Sequence, residues 1–285
     1  MAPTAKAKAL QPLLTEAVPI DDHCIGDRWF AQNETQLARL TAIIAMGQAA
    51  YAAHILKELL PATPAFTCDD LCREAKIRLT VQEDGKTPRT GYPQWQRDGF
   101  IFEVISWIAA RQNHGEQALL KDPHISATSQ GLDGLMIELA DDKTKVVMTT
   151  VFEDKCTENP RDTFLQKVVP ALLDRHQNKR SAELVATASV LLRTAGIDTA
   201  AAARFSAAVM DRNQRRYRAA FALTKEHDSQ EARMRLFKGF DALDGISSNQ
   251  RVGASLIVSG KLREWFDALA SQAIAYLDEL QAEGS

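Results

Sequence analysis

Residues 132 to 156, LDGLMIELADDKTKVVMTTVFEDKC, constrain the fold more than any other stretch of this chain. Two apolar, β-rich runs, Leu132 to Leu139 and Lys145 to Phe152, flank ADDKT, whose polar composition is that of a hairpin turn. Side chains alternate faces along a strand, so Glu153 and Lys155 project to one side and Asp154 to the other. A turn centred between Asp142 and Lys143 sets Asp133 opposite Phe152. A loop centred on Lys143 sets it opposite Glu153, and directly paired residues have Cβ atoms roughly 5 Å apart. Two carboxylates and an ammonium are thereby expected to converge where an apolar strand gives way to a polar loop.

Two acids alone would repel, and a divalent cation between them removes that penalty. Oxygen ligands with retained waters suit Mg²⁺, with Mn²⁺ as the substitute. Such an ion lowers the pKa of a bound water and stabilises charge building on a phosphoryl oxygen. Lys155 beside that water would orient it or help deprotonate it. The competing reading is a surface hairpin whose Lys155 forms an ordinary salt bridge, worth about 0–1 kcal/mol.

Upstream, RDGFIFEVISWIAARQ is helical, with Asp98 as its expected cap and an almost wholly apolar circumference. Such a helix is buried, and Glu103 lies inside it, so this carboxylate needs a cation, a hydrogen-bond network or a route to solvent. Downstream of the hairpin, Phe164, Leu165, Val168, Val169, Leu172 and Leu173 mark a second helix, bent at Pro170. Gln166 and Lys167 on it are expected on an exposed face. His124 and His176 are expected at the surface or in loops, and Trp95, Trp107 and Trp265 as core or interface anchors.

The remaining chain divides into a helical region over residues 1–65, the core over 66–180, an Ala- and Arg-rich helical insertion over 181–250, and a last core strand with a terminal helix over 251–285. Within the first, Asn33 to Leu60 reads as a packing helix stopped by Pro61. AKIRLTVQ reads as a strand and RVGASLIVSG as another, late enough to join the same sheet. The expected class is α/β.

The 285 residues are 45% hydrophobic, enough for a substantial core, and the formal net charge of −3 excludes a generally basic nucleic-acid coat. Any polyanion site must therefore be local. Arg204 to Lys238 carries nine Lys/Arg against four Asp/Glu, with Arg212, Arg215, Arg216 and Arg218 densest. On a helix these would either contact phosphates without reading sequence or form a solvated or interprotein salt-bridged face. The four cysteines lack the spacing of a zinc site. No run approaches the roughly 18 apolar residues of a membrane span, and the reading is a cytoplasmic protein with no membrane partner.

GLDGLMI and VFEDKC resemble the motifs of the PD-(D/E)XK nuclease superfamily. The resemblance implies a core of helix, three-stranded antiparallel meander, helix and further strand, with additional N- and C-terminal helices. It implies Asp133 and Glu153 as catalytic metal ligands, Lys155 as the catalytic lysine, and Glu103 as the first-helix glutamate that joins the metal in Mrr-like and Holliday-junction-resolvase-like branches. It covers about residues 95 to 180, with RVGASLIVSG as the candidate last core strand and PHISATS as the first strand of the meander. A chain of this size is similar to nucleases of bacterial antiviral systems, such as the Hachiman nuclease subunit or the CBASS nuclease module. The implied activity is Mg²⁺-dependent hydrolysis of DNA, as a homodimer or beside a helicase or ATPase partner. The alternative is a DNA-binding or regulatory subunit on a nuclease-like scaffold, with the chemistry in such a partner.

Overall fold

The structure is a computed structural model and describes residues 10–115, 118–125 and 131–284. Seven strands form one mixed sheet in the order β1-β2-β7-β6-β5-β4-β3. They are β1 Leu13–Asp21, β2 Cys24–Ala31, β3 Ala118–Leu120, β4 Gly134–Leu139, β5 Val146–Cys156, β6 Arg215–Thr224 and β7 Arg251–Val258. β3, β4 and β5 are antiparallel neighbours, whereas β5, β6, β7 and β2 run parallel. The fold is α/β.

One face of the sheet is covered by α1 (Glu34–Ala45), α2 (Ala49–Glu58), α3 (Asp69–Leu79), α4 (Gln94–His114) and α10 (Leu262–Gly284). The other is covered by α5 (Pro160–Thr163), a π-helical segment (Phe164–Val168), α6 (Val169–His176), α7 (Ser181–Thr194), α8 (Thr199–Ala208) and α9 (Gln230–Phe237). Each layer seals its own apolar core. Strand alternation divides the residues between them: Val151 packs under α6, whereas Phe152 packs under α4. Among the described residues no helix is long and apolar enough to cross a membrane.

Helix α4 is the buried helix expected from its circumference, but it begins at Gln94, and Asp98 lies inside it rather than at its cap. Fully buried, Asp98 is held by Arg97 and by Arg263 Nη1 at 2.6 Å. The helix after the hairpin widens before Pro170: the Val169 amide bonds Phe164 O, five residues back. Pro170 has no amide hydrogen to continue the α-helical ladder, which makes the wider turn there inexpensive.

Several expectations are corrected. Residues 1–65 are not wholly helical, because Leu13–Ala31 forms the β1–β2 hairpin, and the Asn33–Leu60 helix is two helices broken at Gly47, whose φ is +82°. AKIRLTVQ is largely the end of α3, where Ala75 and Leu79 are buried four residues apart on one helical face. The span 181–250 is not a helical insertion outside the sheet: RRYRAAFALT is β6, inserted between β5 and β7. The strand beside β5 is thus β6, and RVGASLIV, though a strand of the same sheet, lies one place further. Ala118–Leu120 pairs with β4 as the third strand of the antiparallel meander; of PHISATS, expected there, residues 123–125 are not in a strand and residues 126–129 lie outside the described residues.

Candidate active site

The β4–β5 register pairs Gly134 with Phe152 and Glu138 with Met148, centring the hairpin on Lys143. Asp133, one residue before Gly134, is therefore level with Glu153. Gly134 is dictated by this pairing, since a Cβ there would lie 2.4 Å from Phe152 Cδ2. Asp133, Glu153 and Lys155 share the α6 face of the sheet. Lys155 Nζ donates to Asp133 Oδ2 at 2.6 Å and lies 3.0 Å from Glu153 Oε2. The Asp154 amide also donates to Asp133 Oδ2, at 2.8 Å, fixing that carboxylate to the neighbouring strand.

Glu153 is buried, and its second oxygen accepts from Arg175 Nη1 at 2.6 Å. Burial pushes the Glu153 carboxyl upward and nearby Asp133 adds to this, against Lys155 and Arg175. Burial disfavours the Lys155 ammonium, but Asp133 and Glu153 outweigh it and hold its pKa above the ordinary lysine value. In this arrangement Lys155 is a charged hydrogen-bond donor rather than a base. Two anions and two cations balance.

Helix α6 supplies Arg175, which the sequence reading missed. Its signal was present: Arg175 stands three residues after Leu172 and seven after Val168, on the stripe facing the sheet. A cation on that stripe requires a buried acceptor beneath it, and Glu153 supplies it.

At the carboxyl end of β5 these strands open into a cleft of about 500 Å³, lined among others by Trp95, Glu103, His124, Asp133, Lys155 and Lys167. Glu103 reaches it from α4 but does not touch the two strand acids. Its Oε1 accepts from the His124 amide at 2.8 Å, and Oε2 lies 3.0 Å from His124 Nδ1. This is the hydrogen-bond network that a carboxylate inside an apolar helix demanded. Lys167 stands exposed at the same cleft, while Gln166 beside it is exposed and His176 is buried against the Tyr217 hydroxyl at 3.0 Å.

Asp154 points to the opposite face, where Ser106 Oγ donates to it at 2.6 Å and Arg218 lies 3.4 Å away. Burial raises its carboxyl from the ordinary 3.8 to about 6 despite Arg218.

The arginine cluster does not form the expected helical patch. Arg215 is fully buried and donates to the carbonyls of Val209 and Arg175 and to Asn178 Oδ1. Arg218 is buried with its guanidinium carbon 3.5 Å from the Phe152 ring centroid. Arg216 turns toward Glu138 and the Asn249 carbonyl, and Arg212 alone of the four is exposed. In a central strand, alternate arginines face opposite layers, so they cannot present one surface to a phosphate backbone.

Among the described residues no three His, Cys, Asp or Glu side chains are grouped to hold a metal ion. The pair Asp133 and Glu153 nevertheless fits a hard divalent cation in kind. Both are oxygen donors on adjacent strands, and Mg²⁺ is commonly held by one or two carboxylates with waters completing its shell. Lys155 Nζ lies between them, so the space already attracts positive charge. Comparison with protein-family models, curated proteins and solved structures finds no match to this chain.

Proposed function

We propose that this protein is a Mg²⁺-dependent nuclease that hydrolyses DNA phosphodiester bonds, with a PD-(D/E)XK-like core. The observation that carries the reading is the convergence of Asp133, Glu153 and Lys155: Asp133 and Lys155 line one cleft with Glu103 on its opposite wall, and Glu153 is buried directly behind them, 3.0 Å from Lys155 Nζ. Supporting it is the order of α4, the β3–β4–β5 meander, the α5–α6 helix and parallel β6, which is the order that the motif resemblance implies.

Asp133 and Glu153 would hold the ion, with Glu103 facing the same cleft from its opposite wall. When bound, Mg²⁺ polarises a phosphoryl oxygen and acidifies a water. Lys155, as an ammonium, would donate to oxygens on which negative charge develops, a role a charge already held in place performs well. Asp133 is locked by the Asp154 amide, so the strand backbone itself orients the carboxylate. His124, through Nδ1 and its amide, holds Glu103 facing the cleft.

The test is cleavage of single-stranded, duplex and flapped DNA with and without Mg²⁺ or Mn²⁺, comparing wild type with Asp133→Asn and Glu153→Gln, folding being checked by circular dichroism. Loss of metal-dependent cleavage in both folded variants supports the assignment. Retained cleavage in Asp133→Asn refutes it. The closed ion-pair network of Asp133, Glu153, Lys155 and Arg175 favours one alternative, a subunit that binds DNA and leaves chemistry to an ATPase or helicase partner. DNA binding without turnover in either metal, with or without such a partner, would select that reading.

A further inference from the structure

Of the tryptophans expected as core or interface anchors, Trp95 is not in the core: it is 63% exposed, whereas Trp29, Trp107 and Trp265 are 1%, 3% and 8% exposed. It stands on the first turn of α4 and lines the cleft. Gly99 and Glu103 follow at four-residue steps, so all three lie along one face of α4 and all three line the cleft. A lone exposed tryptophan is ordinary surface. A tryptophan aligned on a catalytic-site wall with a bare helix turn behind it is a built feature.

That bare turn is Gly99. Glycine is disfavoured inside a helix, and here a Cβ would meet nothing within 4 Å. Packing within the chain therefore does not require it. What its missing side chain does is leave an open floor between the indole and Glu103, along about 12 Å of helix. Lys167 and Arg263 line the same cleft, supplying positive charge beside the acids Glu103 and Asp133.

We propose that Trp95 and Gly99 form a subsite for an unpaired nucleobase, so that the substrate enters the cleft as a single strand. The base stacks on the indole, the sugar-phosphate passes over Gly99 within reach of Lys167 and Arg263, and the chain continues to the acidic end. A base inside a duplex hides its face in the stack, whereas an unpaired one offers it to an aromatic side chain. This inference rests on the nuclease reading for the identity of the ligand, but its test is independent of cleavage.

Because the other three tryptophans are buried, the red-shifted, quenchable part of the emission reports Trp95. A titration in EDTA with a twelve-nucleotide oligothymidine, a blunt duplex and a duplex with a single-stranded tail reads binding without turnover. Quenching by the oligonucleotide and the tailed duplex is expected, with the blunt duplex leaving the emission unchanged. Trp95→Leu should abolish the quench and weaken single-strand binding about tenfold, as loss of one base–aromatic stack does, while Trp95→Phe restores most of the affinity. Gly99→Leu, whose side chain has room to fold, should also weaken it. Equal single-strand affinity of wild type and Trp95→Leu, or a quench that survives that substitution, overturns the subsite. A protein that quenches but never cleaves with Mg²⁺ or Mn²⁺ loses the nuclease reading and keeps this one.

Discussion

Arg175 Nη1 donates to Glu153 Oε1 at 2.6 Å, with 1% of one side chain and 7% of the other exposed. Sealed from solvent, neither charge can exchange its partner for water. Removing the cation leaves a buried carboxylate whose pKa burial has already raised. Glu153 keeps Lys155 at 3.0 Å, so Arg175→Met is expected to cost about 3 kcal/mol, the lower end of the usual penalty for breaking a buried pair, read as a shift of the urea midpoint. A midpoint within experimental error of wild type would mean that the pair is not formed. The same geometry makes Glu153→Ala a poor probe of catalysis, since it strands Arg175, and makes Glu153→Gln the sounder one.

Asp154 carries a pH dependence of predictable sign. Burial lifts its carboxyl from 3.8 to about 6, with Asp133 and Glu103 adding and Arg218 and Ser106 opposing. Between those two values the folded chain retains a proton that the unfolded chain has released, so stability falls as pH rises through the window. Asp154→Asn removes this titration. The stability of wild type relative to Asp154→Asn should be greatest below about pH 4 and decline by about 3 kcal/mol at most by pH 7. Urea unfolding of both proteins at pH 4, 5, 6 and 7 measures it, and a difference that is flat or rises with pH contradicts the environment described for Asp154.

Gly134→Ala tests the hairpin that positions Asp133. The added Cβ would press on Phe152 Cδ2 at 2.4 Å, and the Phe152 ring carries the Arg218 guanidinium at 3.5 Å. With buried Arg218 held by Ser106 and Asp154, the ring has little room to retreat. Overpacking of this kind costs about 1–3 kcal/mol, seen as a lower urea midpoint. Phe152→Leu in the same chain should recover part of the loss, and a Gly134→Ala protein as stable as wild type would show that the ring moves freely.

How far the sequence could be read depended on how local each determinant is. The Asp133–Glu153 juxtaposition lies within one hairpin, and the loop centred on Lys143 was one of two registers that turn chemistry and strand alternation allowed. Glu103 demanded a partner because an apolar helix surrounds it, and His124 is that partner. By contrast β6 was invisible. Arg-Arg-Tyr-Arg-Ala-Ala-Phe-Ala-Leu has strong helix formers, and only the strands on either side, β5 before it and β7 after it, override that preference. Its arginines looked like a phosphate patch because their buried acceptors, such as Val209 O and Asp154, are brought close only by the tertiary fold.

Lys155 separates metal binding from chemistry in an experiment. Its ammonium lies between Asp133 Oδ2 and Glu153 Oε2, so it competes for the charge that a divalent ion would take. Lys155→Met removes the competitor and leaves two carboxylates repelling each other. Such a protein should melt lower than wild type in EDTA and recover more than wild type on adding Mg²⁺. A ligand at about a hundred times its dissociation constant stabilises the folded state by about 2.7 kcal/mol, so the rise is measurable by thermal unfolding. Under the nuclease reading the variant gains metal affinity while losing cleavage. Asp133→Asn, with one carboxylate gone, should lose both. If Mg²⁺ raises the melting temperature of wild type and Asp133→Asn equally, the ion binds elsewhere and Asp133 is not its ligand.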